Sequence, residues 1–212
     1  DLFKEFLSRP SVIFTYFGIA ASVFVTTSLI TWLPTYFQNV DNVSQEKAGT
    51  MASAIMGMAL IGSPLGGYLT DRWRRKKENA RLLFPALSTV ITAVLLFIAL
   101  YLLDGTLRYI VLVLMGISVM LFLSGAIAVT QDVIHPGLRA TSYAIAVVIQ
   151  NLLGSSTAPI VMGKIYDLAN IQTALSILPF VLLIGAALFY MGSRYYAKDM
   201  TKVAKIKLEA QV

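Results

Sequence analysis

Residues 48–70 read AGTMASAIMGMALIGSPLGGYLT and contain no Asp, Glu, Lys or Arg, whereas residues 71–77, DRWRRKK, hold six charged side chains. A charge-free run of this length, wound as a helix, crosses a hydrocarbon core about 30 Å thick. The basic cluster that ends it is the type of signal that fixes a membrane helix's orientation. Five more runs lack these charges: residues 10–40, 82–103, 109–131, 140–163 and 168–193. The other 63 of the 212 residues hold all 28 charges. The sequence therefore predicts an all-α membrane protein with six transmembrane helices. Its expected parts are an interfacial cytoplasmic segment (1–9), the membrane bundle (10–193) and a basic cytoplasmic tail (194–212).

Composition agrees. The chain is 57% hydrophobic and 13% charged, against roughly 25% charged for a soluble domain. Its net charge of +6 does not point to nucleic acid, because the excess basic residues flank spans, where they set membrane orientation. Without cysteine there is no thiolate chemistry, and neither a metal site nor a cofactor is expected. The chain opens on Asp1 rather than Met, as a fragment or processed product would. A cleaved leader is not expected, because the first run is too long.

With six spans the termini share a side with the second and fourth loops. Those segments hold 14 Lys and Arg, against Lys47, Arg108 and Lys164 on the other side. The positive-inside rule then places both termini in the cytoplasm. Trp32, Tyr36 and Phe37 are expected as outer aromatic anchors, and Trp73, Tyr195 and Tyr196 as inner ones. The tail lysines are expected to face headgroups.

The second span ends Gly67-Tyr68-Leu69-Thr70-Asp71 after Pro64, and the fifth ends Gly163-Lys164-Ile165-Tyr166-Asp167 after Pro159. By the topology above, these matching ends lie on opposite sides. The chain thus reads as two inverted three-helix repeats, a construction common among secondary transporters. The same two spans carry small-residue pairs, Gly62 with Gly66 and Gly154 with Ala158. Such pairs either pack helices within this bundle or form a sliding surface against a second one. Pro34, Pro64, Pro159 and Pro179 are expected to mark bends.

The stretch Gly67-Tyr68-Leu69-Thr70-Asp71-Arg72-Trp73-Arg74-Arg75-Lys76 resembles the signature loop of the major facilitator superfamily, with Arg74 where the family has a second glycine. The resemblance implies one six-helix half of a twelve-helix transporter. The charge-free fourth span, and the likeness of residues 136–159 to an eleventh helix, point to the carboxy-terminal half. Residues 32–37 resemble organic-anion members, and residues 136–159 also resemble spinster-like lipid transporters. The implied location is a plasma membrane, bacterial inner membrane, and the implied partners are the bilayer, the other six-helix half and a small-molecule substrate.

Gating is assigned by this resemblance to Gly67, Asp71, Arg72, Arg75, Asp132 and Arg139. Asp71 lies at a helix's carboxyl end, where the dipole disfavours an anion, so it needs a partner. Arg72 and Arg75 are expected to reach Asp132, and the family suggests a helix start in the other half for Asp71. Cavity-lining candidates are Tyr16, Thr27 and Trp32 on the first span, Ser118 and Ser124 on the fourth, and Gln150, Asn151 and Ser155 on the fifth. Adjacent amides in lipid are costly without partners, which singles out Gln150 and Asn151. No span holds an ionisable residue, so a proton-coupling acid for symport would lie in the other half. His135 reads as a solvated loop residue.

An enzyme is not expected. An intramembrane hydrolase needs a buried histidine beside its serine, or paired aspartates, and no phosphate loop of an ATP-driven carrier occurs. The expected function is alternating-access transport of a small organic anion. An amphiphilic lipid substrate, or a non-transporting scaffold, are the alternatives.

Overall fold

The computed structural model describes residues 6–209, with side chains described to Val203. Residues 1–5 of the expected interfacial segment, and the side chains of Lys205 and Lys207, lie outside it. Six helices are long and apolar enough to cross a membrane: Pro10–Val40, Gln45–Arg74, Ala80–Tyr101, Gly105–Asp132, Pro136–Leu168 and Ile171–Val203. In chain order they make the six-helix, all-α bundle that the charge-free runs predict. The second and fifth spans outrun their charge-free stretches by several residues, since a helix ends at its caps and not at its first charge. Ser44 caps the second span, accepting the Lys47 N–H at 3.3 Å.

Burial follows the repeat. In the most apolar part of each span, 22% of residues are buried in the second and fifth, against 44–56% in the other four. The second span packs on the fourth through glycines: a Cβ on Gly62 or Gly66 would strike the carbonyl oxygens of Ile117 or Leu121, and one on Gly116 that of Ile55. The fifth packs on the first, where a Cβ on Gly154 would lie 2.9 Å from the Ala20 carbonyl oxygen. Ala158 is fully buried. Both small-residue pairs therefore pack helices within this bundle, the first of the two readings above.

Several spans are interrupted. The second breaks at Met58 and the sixth at Ile177, ahead of Pro64 and Pro179, and the fifth contains a π-helical turn, Gln150–Ser155, ahead of Pro159. A proline ring clashes with the carbonyl four residues before it, so the disturbance falls on its amino side. Pro34 stands within an unbroken helix. The fourth span is broken between Ser118 and Leu123 without proline. There Ser118 returns its hydroxyl to the Met115 carbonyl (2.9 Å) beside Gly116, a back-bond that bends helices.

Helix continues without a break through Ser193, from Leu178 to Glu209.

Candidate functional site

Three polar clusters pin the ends of the bundle, and a half-bare face lies between them. On the terminus-bearing side, Arg81 at the start of the third span makes a short charged contact with Asp132, which ends the fourth. Its other terminal nitrogen lies 3.8 Å from Asp71, at the end of the second span. Tyr196 of the sixth span donates its hydroxyl to Asp132 at 3.3 Å. Asp71 is 70% exposed and Arg81 14%, so Asp132 is the stronger partner. This overturns the expected pairing: Arg72 instead donates to the Tyr68 hydroxyl at 3.2 Å, and Arg75 and Arg139 are exposed. Arg81 was missed because it ends a stretch of six basic residues, and no helical spacing singles it out.

Also on this side, the buried Asp199 of the sixth span accepts from the Ser11 backbone N–H (3.1 Å) and hydroxyl (2.6 Å). Lys202 lies 3.1 Å from its other oxygen, and Arg9 donates to the Asp199 carbonyl at 2.7 Å. An anion at a helix's amino end meets the unpaired N–H groups and the positive pole of the dipole. Charge patterning gave no hint of this, because Asp199 lies in a lysine-rich segment read as surface.

On the opposite side Arg108, 5% exposed, is held by Asp41 at 3.0 Å, by a short contact to Asp104 and by the Leu103 carbonyl at 3.0 Å. Its guanidinium sits 5.5 Å from the Tyr36 ring centre. Tyr36 and Phe37 are fully buried, and Phe37 meets Tyr109 edge-on. They are thus core residues, not outer anchors. Fully buried Tyr196 is likewise no inner anchor. Tyr36 and Phe37 are covered by the second and fourth spans, and Tyr196 lies where the bundle continues past the sixth charge-free run.

The expected cavity residues divide. Tyr16 is buried, its hydroxyl 2.7 Å from the Ser142 hydroxyl, and Ser142 donates in turn to Thr130. Ser118 is buried and accepts from Thr92 at 2.9 Å. Ser124 donates to the Ser63 carbonyl at 3.0 Å across the contact that Gly67 leaves open. Thr27, Trp32, Gln150 and Ser155 are half-buried and Asn151 is exposed. Trp32 packs on Tyr166 with ring centres 5.5 Å apart, and its indole N–H has no hydrogen-bond partner. Asn151 turns its amide back to the Val147 carbonyl at 2.8 Å. The π-helical turn thus places the two adjacent amides on the half-bare fifth span. His135 is exposed and accepts the Gly137 N–H at 3.1 Å, as a loop residue does.

The Major Facilitator Superfamily model matches residues 1–159. The chain belongs to the major facilitator superfamily. Among curated relatives, it is 28% identical to protein spinster homolog 1 of Xenopus laevis, covering 94% of this chain and 43% of that protein. It is 23% identical to the sphingosine-1-phosphate transporter of Danio rerio, covering 95% and 45%. Among solved structures, a bacterial homologue of the human lysosomal transporter spinster, inward-facing and unoccupied, superposes with a TM-score of 0.76 at 20% identity, covering 93% of this chain and 50% of that one. A peptide transporter in complex with alafosfalin gives 0.72 at 16% identity, covering 94% and 43%. This major facilitator chain spans about half the length of the curated relatives it matches.

Proposed function

We propose that the chain is the carboxy-terminal six-helix half of a transporter that moves an amphiphilic, lipid-like solute by alternating access. The reading is carried by the faces of the second and fifth spans. They are the least buried of the six and present Leu60, Ile61, Leu65, Val148, Leu152 and Leu153 to their surroundings. An aliphatic wall of that kind suits a hydrocarbon chain, with the π-helical turn at Gln150 and Asn151 meeting a polar head. The spinster relatives, one of them named as a sphingosine-1-phosphate transporter, support the same class. Gating falls to the Asp71–Arg81–Asp132 cluster, on the side proposed as cytoplasmic. No Asp or Glu among the described residues sits in mid-span, so a carboxylate for coupled symport would belong to the other half.

A compact organic anion is the second reading, favoured by the unpartnered Trp32 N–H and by the amides of Gln150 and Asn151 as donors. Competition in liposomes carrying the full-length transporter separates the two. An amphiphile should compete more strongly as its chain lengthens, and its headgroup alone should not compete. Equal competition by the chainless headgroup overturns the lipid reading in favour of the anion.

A further inference from the structure

Two hollows on the terminus-bearing part of the bundle share a wall at Trp73 and Leu87. The first, about 510 Å³, lies between the third and sixth spans and is almost wholly apolar, with Val90, Leu183 and Ala187 in its lining. The second, about 440 Å³, is walled by Leu69 and Phe84 and edged by Arg72 and Lys76. Each has the size of a small-molecule site. Neither is needed for the transport path proposed above. Trp73 is fixed edge-on against Phe84, ring centres 6.4 Å apart, so the shared wall is set by packing. The Tyr68 hydroxyl holds one Arg72 nitrogen at 3.2 Å, leaving the guanidinium's other donors available. Across the first hollow, Arg194 sits over the Tyr190 ring at 5.5 Å. Asp71, the acid beside Arg72, faces Arg81 instead.

An apolar slot beside a span, with cations at its mouth and an indole between, matches a phospholipid in charge and polarity. Basic pockets between membrane helices at this level hold anionic headgroups. We infer that these hollows bind an anionic phospholipid of the adjacent leaflet, with an acyl chain along Leu87, Val90 and Leu183 and the phosphate held by Arg72 and Lys76. The site is independent of what the protein transports.

Trp73 is the probe. The full-length transporter, with Trp32 and every tryptophan outside this chain replaced by Phe, is reconstituted with brominated phosphatidylglycerol or brominated phosphatidylcholine. Half-maximal quenching of Trp73 should need about tenfold less of the anionic lipid, given two cations near its phosphate. Arg72→Gln with Lys76→Gln should abolish that preference, and Ala187→Phe should weaken it with every charge in place. Arg75→Gln with Lys77→Gln should retain it, because those side chains do not edge the hollows. Equal quenching by both lipids overturns the site. So does loss of preference in the Arg75 and Lys77 variant, which would mean diffuse surface charge. Displacement by free glycerol phosphate would assign the cations to a soluble anion, and no quenching by either lipid would mean protein covers the hollows; both results also overturn it.

Discussion

The Asp199 carboxylate closes the amino end of the first span, taking both the backbone N–H and the hydroxyl of Ser11 from 188 residues away. The sixth helix thereby fastens to the first turn of the first span. Asp199 is 1% exposed and also faces Lys202. Asp199→Asn should lower stability by about 3 kcal/mol, since it neutralises one member of a buried charged group. Ser11→Ala, which keeps the backbone donor, should cost about 1 kcal/mol. Thermal unfolding of the purified protein in detergent would show the graded pair, and equal losses would mean that the charge contributes nothing.

At the opposite mouth Arg108→Met strands the Asp41 carboxylate and uncovers the Tyr36 ring. A loss of about 2–3 kcal/mol is expected. Asp104 is 95% exposed, so Asp104→Asn should stay within about 0.5 kcal/mol of wild type. The same unfolding measurement tests both.

For the cluster around Asp132, Arg81→Gln should destabilise by about 2 kcal/mol by leaving a half-buried carboxylate without its cation, held only by the Tyr196 hydroxyl. Adding Asp132→Asn should recover part of that loss, and a double-mutant cycle reads the coupling directly. Arg72→Gln and Arg75→Gln should each change stability by less than about 0.5 kcal/mol.

Glycine substitutions should separate close packing from open surface. Gly62→Ala drives a methyl into the Ile117 carbonyl, with an expected cost of about 3 kcal/mol or loss of folded protein. A Cβ at Gly49 meets nothing within 4 Å, so Gly49→Ala should gain up to about 1 kcal/mol from helix propensity alone. Yield and melting temperature of the two variants decide it.

The six spans were legible because lipid forbids uncompensated charge, so their absence marks each crossing directly. The inverted repeat was legible in Gly67–Asp71 and Gly163–Asp167 for the same reason: helix ends carry their own chemistry. Pairing was not. Arg81 is one of six basic residues within eleven positions, and only the third span's placement brings it to Asp132 in preference to Arg72. Asp199 was hidden by distance along the chain, and the burial of Tyr36 and Phe37 by their packing against the second and fourth spans, which no helical period of the first span states. Gln150 and Asn151 stood out as costly amides, but a π-helical turn has no composition of its own to announce it. The inward turn of Tyr16 likewise depends on Ser142, on a helix whose rotation no single sequence states.

The fourth span is moored at both membrane surfaces, by Arg108 near its start and by Asp132 at its end, yet it has no regular helix from Val119 to Phe122. Between those two fixed ends, the four residues Val119–Phe122 lack the regular helical ladder that stiffens the rest of the span, and they follow directly on Ser118, whose hydroxyl accepts from Thr92 of the third span.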